Sequence, residues 1–244
     1  MLTEKGIIYG LGLGPGDPEL MSVKADRILR QSSNIAFFRK KGRKGHARTI
    51  VDTMLPSDVV EYAMEYPVTT EIPLDDPAYN QTLLEFYRDC AEHIKTLSEQ
   101  GTSVSVLCEG DPFFYGSFMH IYTRVIDTHP VEVVPAITGM SAAWTETGAP
   151  ITWGDDVLSV VMGTLPEEVL KAKMTECDAL VVMKIGRHFK KVKRALKASG
   201  LFERAFIVHY AAMTNKKVQK LVEIQEDNAP YFSIIIVHGQ GRRP

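Results

Sequence analysis

The sequence predicts an α/β fold, and three observations carry that prediction. Short apolar runs rich in β-branched residues recur along the 244 residues. Amphipathic stretches with helical spacing lie between these runs. Most of the runs lack a polar–apolar alternation, which is typical of strands buried on both faces of a sheet. Strands that alternate with helices indicate an α/β architecture.

Eight runs have the length and composition of strands. They are residues 6–11, 34–38, 103–108, 131–134, 157–162, 179–184, 205–210 and 232–238.

Three stretches have the apolar spacing of helices, namely residues 19–31, 79–99 and 187–198. Residues 42–77 hold only a short helical stretch at 47–54, so we expect a long excursion from the sheet there. The length suits two modest domains. We place them at 1–130, with the glycine-rich loop described below, and at 131–244.

The composition excludes several classes of protein. Apolar residues make up 45% of the chain and charged residues 24%, so it is not an intrinsically disordered segment. The formal net charge is 28 − 30 = −2, an average that disfavours nucleic acid as a partner. No apolar run reaches the roughly 18 residues of a membrane span, so we expect no membrane association.

The cysteines and the start of the chain predict the compartment. Cys90, Cys108 and Cys177 are odd in number and show no C-x-x-C spacing, so we expect neither a disulfide framework nor a metal site. The first residues do not combine a charged segment with a long apolar one. Free thiols without an export signal predict a cytoplasmic protein.

A glycine-rich loop at residues 10–20 follows the first predicted strand. The dinucleotide pattern G-x-G-x-x-G fails in both registers, at Pro15 and at Asp17, and no P-loop Gly-Lys-Ser/Thr follows. Asp17 suits a helix N-cap, where a phosphate would otherwise lie. Four glycines in seven residues favour a backbone that passes close to a flat ligand, although an unusually tight strand-to-helix turn would also use them.

The tripeptide Gly-Asp-Pro of this loop occurs a second time. It lies at residues 16–18 and again at 110–112, where it follows a buried strand and precedes three aromatic residues. Small residues at 134–143, beginning Val-Pro-Ala-Ile-Thr-Gly, mark another strand-to-helix junction. Either Gly-Asp-Pro alone is more typical of a turn than of a site.

Together, in this order, these segments resemble the tetrapyrrole (corrin/porphyrin) methylase family over nearly the whole chain. One departure is Ala136, where the family usually has glycine. Within the family, residues 36–48, 183–188 and 230–237 resemble the branch that acts on precorrin-2. The resemblance implies two α/β domains with the active site in the cleft between them, a homodimer, and S-adenosylmethionine as the cofactor.

The resemblance also implies site residues. The first domain is expected to lie on the substrate side and the second to share the cofactor site. Substrate contacts fall on Gly12, Gly14, Gly16 and Asp17. Cofactor contacts fall on Pro15, Glu109, Gly110, Asp111, Phe114, Thr138, Gly139, Met183, Tyr210, Ala211 and Ala212.

The implied reaction is methyl transfer to the C20 meso carbon of the tetrapyrrole. That carbon must afterwards lose a proton, which a positioned base can accept. Five residues are candidates, and the sequence does not choose among them. They are Glu109, Asp111, Asp17, His188 and Tyr210.

Two basic runs suit a polycarboxylate such as precorrin-2 to different degrees. Residues 39–48 follow a predicted strand and hold six cations and no acid, so Arg39 and Arg43 are candidates to bind substrate carboxylates. Residues 184–197 hold seven cations and no acid, but their spacing is typical of the solvated face of an amphipathic helix.

Several alternatives stay open. Related enzymes act at other corrin positions, on uroporphyrinogen III, on diphthamide or on ribosomal RNA. Cobalt-precorrin-2 presents the same carbon as the metal-free compound, although residues 109–117 favour the metal-free branch. From another class, a non-catalytic nucleotide-binding module is possible, and the failed glycine pattern predicts that it would not bind NAD.

Overall fold

The computed structural model describes residues 4–68 and 76–242. Residues 1–3, on which the expectation about the chain's start depends in part, lie outside them. The chain divides into two compact units, Met1–Thr138 and Gly139–Pro244. No helix within the described ranges is long and apolar enough to cross a membrane.

The first unit is built on a five-stranded, wholly parallel sheet. Its strand order is β3-β2-β4-β1-β5. The strands are β1 (Ile8–Gly12), β2 (Asn34–Lys40), β3 (Val60–Tyr66), β4 (Val104–Cys108) and β5 (Val131–Val134), and the helices are α1 (Val23–Arg30), α2 (His46–Ile50), α3 (Pro77–Glu99) and α4 (Phe118–Val125).

Helices cover both faces of this sheet. On one face, α1 and α2 pack on β1, β2 and β4 through Leu29 and Ala47. On the other, α3 and α4 pack through Ile94 and Ile121. The neighbouring strands β1 and β4 are therefore followed by helices on opposite faces. This is a topological switch point, and open α/β sheets bind ligands outside the carboxyl ends of such strands.

The second unit holds a mixed sheet in the order β6-β7-β10-β8-β9. Strands β6 and β7 run parallel, and the other neighbours are antiparallel. Helix α5 covers one face, and α6 and α7 cover the other. The strands are β6 (Leu158–Met162), β7 (Ala179–Met183), β8 (Ala205–His209), β9 (Lys217–Lys220) and β10 (Ser233–Val237), and the helices are α5 (Gly139–Glu146), α6 (Glu167–Thr175) and α7 (Phe189–Ala198).

The predicted α/β class is confirmed, and each of the eight predicted strands has a counterpart. Two further strands, β3 and β9, were not predicted, and β3 lies inside the expected excursion at 42–77. Both are edge strands with exposed polar residues. The helix expected over 19–31 is divided, because Ser22 caps a new helix by accepting a hydrogen bond from the Ala25 N–H.

The boundary between the units also differs from the expected one at residue 130. Strand β5 pairs in parallel with β1, with Ile8 opposite Val131. Residues 131–138 therefore belong to the first unit, and the division falls between Thr138 and Gly139.

Candidate functional site

The loops after β1 and β4 are hydrogen-bonded to each other at the switch point of the first sheet. The Leu13 N–H donates to the Cys108 carbonyl at 2.9 Å, and the Gly110 N–H donates to the Gly14 carbonyl at 2.7 Å. The two segments that contain Gly-Asp-Pro, distant in sequence, thus meet at one edge of the sheet. The structure brings the predicted residues Gly14 and Gly110 together directly.

The glycines of the first loop are required by the protein's own packing. A Cβ on Gly12 would lie 2.6 Å from the Ala136 Cβ and 2.9 Å from the Pro112 Cδ. A Cβ on Gly10 would lie 2.3 Å from the Phe118 ring. Gly14 has a φ of +81°, in the region that favours glycine. The tight-turn explanation therefore accounts for these three residues, and contact of Gly12, Gly14 and Gly16 with substrate stays a prediction.

The two aspartates of the repeated tripeptide make the same local hydrogen bond. Asp17 Oδ1 accepts from the Glu19 N–H, and Asp111 Oδ1 accepts from the Phe113 N–H, both at 2.9 Å. Asp111 makes one bond more, because its Oδ2 accepts from the Ala136 N–H at 2.9 Å. The Asp111 carboxylate therefore joins the loop after β4 to the loop after β5.

Glu109 lies between β4 and the second Gly-Asp-Pro. Burial raises the pKa of its carboxyl group to about 7, and no neighbouring charge contributes to that shift. Burial also raises the pKa of the preceding Cys108 thiol, which keeps that sulfur protonated. Glu109 is thus an acid that can change its charge near neutral pH.

The carboxyl end of β3 adds a group of hydroxyls that the sequence did not predict. Tyr66 and Ser117 share a hydrogen bond of 2.5 Å between their hydroxyl oxygens, and the Tyr87 hydroxyl donates to Ser117 at 3.2 Å. Ser117 lies two residues after the aromatic segment 113–115, which contains Phe114. A Tyr at the end of β3 could not be placed here from sequence, because β3 itself was not predicted.

The two predicted substrate arginines have different surroundings. Arg39 lies opposite Glu65 in the register of β2 and β3, and its Nη2 is 2.7 Å from Glu65 Oε1. Arg43 is exposed, in the turn after β2, and within the described part of the chain it has no side-chain partner. Arg43 is therefore the freer of the two cations to take a carboxylate from a ligand.

In the second unit, the predicted cofactor residues gather at one edge of the mixed sheet. Strands β7 and β8 are both antiparallel to β10, so Met183 at the end of β7 and Tyr210 after β8 lie on the same side of the sheet. The Gly163 N–H, after β6, donates to the Met183 carbonyl at 2.7 Å, and the Tyr210 N–H donates to the Phe232 carbonyl at 2.8 Å. Gly163 was not predicted, although a glycine directly after an apolar strand is a usable signal.

Backbone strain marks the same loops. Four non-glycine residues in the described ranges have a positive φ, and each lies after the carboxyl end of a strand. Bulky residues rarely adopt this conformation, and such strain clusters at functional sites. Two of the four, Tyr210 and Ala212, are predicted cofactor contacts, and Lys184 follows a third, Met183. The residues are Tyr115 (56°), Lys184 (53°), Tyr210 (52°) and Ala212 (58°).

The basic face of α7 is neutralised largely within its own unit. Lys190 and Lys193 pair with Asp227, and Arg194 pairs with Glu167 at 2.6 Å. Lys191 donates to the Leu165 carbonyl at 2.6 Å. These contacts agree with the interpretation of this run as one face of an amphipathic helix.

The remaining predicted residues have less distinctive surroundings. Pro15 is buried in the first loop, and Gly139 begins α5, directly after Thr138. Ala211 is buried and packs in the cluster beneath α5. Across residues 4–68 and 76–242, no group of three or more His, Cys, Asp or Glu side chains could hold a metal ion.

A parallel sheet with a topological switch point, followed in the chain by a mixed sheet with strained loops, is the architecture of a two-unit α/β protein that binds a ligand at the carboxyl ends of its strands. The family model described as Tetrapyrrole (Corrin/Porphyrin) Methylases matches residues 7–225. The chain therefore belongs to the tetrapyrrole methylases, as its motifs predict.

Individual relatives agree with this membership. A precorrin-2 C(20)-methyltransferase of Sinorhizobium sp is 46% identical over 98% of both chains. A cobalt-precorrin-2 C(20)-methyltransferase of Salmonella typhimurium is 27% identical over 96% of this chain and 97% of the relative. Among solved structures, the uroporphyrin-III C-methyl transferase of Thermus thermophilus, complexed with S-adenyl homocysteine, has a TM-score of 0.64 and 21% identity. That match covers 96% of this chain and 97% of the other.

Proposed function

We propose that the protein transfers a methyl group from S-adenosylmethionine to the C20 meso carbon of precorrin-2, giving precorrin-3A in cobalamin biosynthesis. The observation that carries this proposal is the 46% identity, over 98% of both chains, to a precorrin-2 C(20)-methyltransferase. The cofactor is that of the family, and it supplies an already activated methyl group. The protein's own task is then alignment and the exclusion of water.

The metal-free substrate is favoured over its cobalt complex. The relative that acts on precorrin-2 shares 46% of its residues with this chain, and the one that acts on cobalt-precorrin-2 shares 27%. The motif at residues 109–117 supports the same preference.

We propose cofactor contacts in each unit. In the first unit they lie in the loops after β1, β4 and β5, and in the second they lie at the start of α5, at the end of β7 and after β8. The Gly14–Gly110 bridge and the positive φ of Tyr210 and Ala212 support these assignments, because fixed backbone presents its polar groups to a ligand without further ordering. The first set is Pro15, Glu109, Gly110, Asp111, Phe114 and Thr138; the second is Gly139, Met183, Tyr210, Ala211 and Ala212.

We propose that Arg43 binds a substrate carboxylate and that Arg39 orients its loop through Glu65. An exposed guanidinium without a protein partner can form a bidentate pair with a carboxylate. Arg39 already has its pair in Glu65. We also propose that the substrate site is lined by Gly12, Gly14, Gly16 and Asp17.

A homodimer acting in the cytoplasm completes the proposal. The buried or half-buried free thiols Cys90, Cys108 and Cys177 support a reducing compartment. Sedimentation at micromolar concentration tests the dimer, and a monomer at all concentrations would contradict it.

Product analysis tests the reaction itself. The protein is incubated with precorrin-2, with and without cobalt, and with methyl-labelled S-adenosylmethionine. We expect one labelled methyl group at C20, assigned by mass and NMR, and faster turnover of the metal-free compound. A label at another carbon, or a preference for the cobalt complex, would contradict the proposal. Titration should show binding of S-adenosylmethionine and none of NAD.

The arginine assignment is tested by kinetics. Arg43→Ala is expected to raise the substrate KM by about tenfold, the effect of one lost charged contact, while cofactor affinity stays unchanged. Arg39→Ala should act less strongly, through loss of the Glu65 contact. Arg27→Ala, an exposed arginine on α1, is the matched control and should behave as wild type. Unchanged kinetics in both loop variants would exclude this loop from the site.

A further inference from the structure

Among the described residues of the switch-point loops, Glu109 is a partly buried acid whose carboxyl group has no hydrogen-bond or ion-pair partner. We propose that the Glu109 carboxylate is the base that removes the proton from the methylated C20 carbon, an assignment that rests on the proposed function. The reaction leaves this proton to be removed, and the sequence offered five candidates without a choice.

The step balances without any further reactant. Once C20 has accepted the methyl group and the cofactor has left as a neutral thioether, the carbon holds both a hydrogen and the new methyl, and the ring system holds a positive charge. The C20–H bond breaks, and its electron pair restores the ring double bond and neutralises that charge. The proton forms an O–H bond on a Glu109 oxygen and later passes to water.

The position of Glu109 fits this role. It directly follows β4, one of the two strands at the switch point, where a ligand is expected. The hydrogen bonds on either side of it, from Leu13 to Cys108 and from Gly110 to Gly14, fix its backbone. A base held by rigid elements needs no reordering before it reacts.

The two neighbouring acids are already engaged. Asp111 accepts backbone N–H bonds on both oxygens, from Phe113 and from Ala136. Asp17 accepts the Glu19 N–H as the cap of a 3-10 turn. Protonating Asp111 would weaken the hydrogen bond from the Ala136 N–H, which connects the loops after β4 and β5. The carboxyl group of Glu109 has no hydrogen bond or ion pair to the rest of the described chain, so protonation breaks no contact.

The remaining candidates fit less well. His188 lies beside Arg187 and Lys191, and burial together with these two cations lowers its pKa, so it is a weak proton acceptor. Tyr210 is a phenol, which donates rather than accepts a proton at neutral pH. Of the five residues, Glu109 is the acid that is both unengaged and placed at the switch point.

The charge behaviour of Glu109 supports the geometric argument. Burial raises the pKa of this group to about 7, close to the value at which a general base is most effective at neutral pH. The titratable groups in the adjoining turns are Cys108, Asp17 and Asp111, and among these burial keeps the Cys108 thiol protonated.

The test compares Glu109→Gln with Glu109→Asp and with Glu176→Gln, an exposed glutamate beyond α6, as the control. Single-turnover formation of the final product, which carries the methyl group at C20 and has lost the C20 proton, is followed from about pH 5 to about pH 9. Glu109→Gln should lower the rate by about 100-fold or more, abolish the rise in rate with pH, and show a primary isotope effect with substrate deuterated at C20. Glu109→Asp should keep a pH-dependent rate.

Calorimetric titration with S-adenosylmethionine supplies a readout besides activity. The proposed cofactor contact of Glu109 is through its backbone, which Glu109→Gln keeps, so this variant should bind the cofactor within about threefold of wild type. A wild-type rate in Glu109→Gln would overturn the proposal. Loss of cofactor affinity that accounts for the whole rate loss would also overturn it, because the Glu109 side chain would then bind the cofactor and not remove the proton. Failure of the proposed function looks different, because wild-type protein would then leave C20 unmethylated.

Discussion

The two Gly-Asp-Pro turns have the same tripeptide sequence and the same local hydrogen bond, yet they make different contacts with the rest of the structure. In both, an aspartate oxygen accepts the N–H two residues later. Only for Asp111 does the second oxygen reach another loop, at Ala136. The residue before the tripeptide also differs, since Pro15 precedes the first turn and Glu109 the second.

The comparison shows that the repeated tripeptide determines the local turn conformation, whereas the residues around it determine what the turn contacts. The first turn begins a helix, because its aspartate caps a 3-10 turn. The second turn holds loops together, and it carries an acid whose charge depends on burial. Substitutions in and around the turns should separate these roles.

The largest expected effect comes from the contact between the two turns and the loop after β5. Gly12→Ala should lower the free energy of unfolding by about 3 kcal/mol, because its Cβ would lie 2.6 Å from the Ala136 Cβ and 2.8 Å from the Val134 carbonyl oxygen. Denaturant unfolding measures this. Adding Ala136→Gly should recover part of the loss, and strict additivity of the two substitutions would refute the clash.

The second effect tests the extra bond of Asp111. Asp111→Ala should destabilise the protein by about 2 kcal/mol, since it leaves two backbone N–H groups without their acceptor. Asp111→Asn, which keeps one carbonyl oxygen, should lose less. Equal losses in the two variants, measured by thermal unfolding, would mean that the carboxylate does not join the loops.

The third effect concerns the residue before the second turn. The pKa of Glu109 in the folded protein is raised, so its stabilising contribution is complete below the unfolded pKa near 4.5 and is lost as pH rises through about 7. Glu109→Gln lacks this loss. Its free energy of unfolding should therefore exceed that of wild type by about 2 kcal/mol at alkaline pH, after allowance for solvent screening, and by less at about pH 5. A difference independent of pH would contradict the assignment.

The smallest effect is expected at the first turn. Asp17→Ala removes one capping bond and should cost about 1 kcal/mol. A loss as large as that of Asp111→Ala, measured under the same conditions, would remove the distinction between the turns.

Much of the fold could be predicted from sequence, because the buried strands are largely apolar. The exceptions, β3 and β9, lie at sheet edges, where half of each strand meets water and polar residues interrupt the pattern. A sequence pattern that detects burial cannot find strands that are held mainly by backbone pairing.

The sequence motifs predicted which segments contribute to the candidate site, but they did not predict which side chains contact each other there. The register that places Glu65 beside Arg39 depends on β3. Because β3 was not predicted, the ion pair between Arg39 and Glu65 could not be predicted from the sequence. The burial that separates Glu109 from Asp111 likewise depends on how three loops meet. Ala136 looked like a minor departure from a family pattern, but its methyl group occupies the space that Gly12 must leave empty.

The pairing of β5 with β1 determines where this chain can be divided. A truncation after residue 130 removes β5 and turns β1, whose residues are almost all buried, into an open edge. Exposed apolar edges recruit strands from other molecules, so such a fragment would aggregate. A division between residues 138 and 139 leaves all five strands of each sheet in place, which makes that peptide bond the natural point for producing the two units separately.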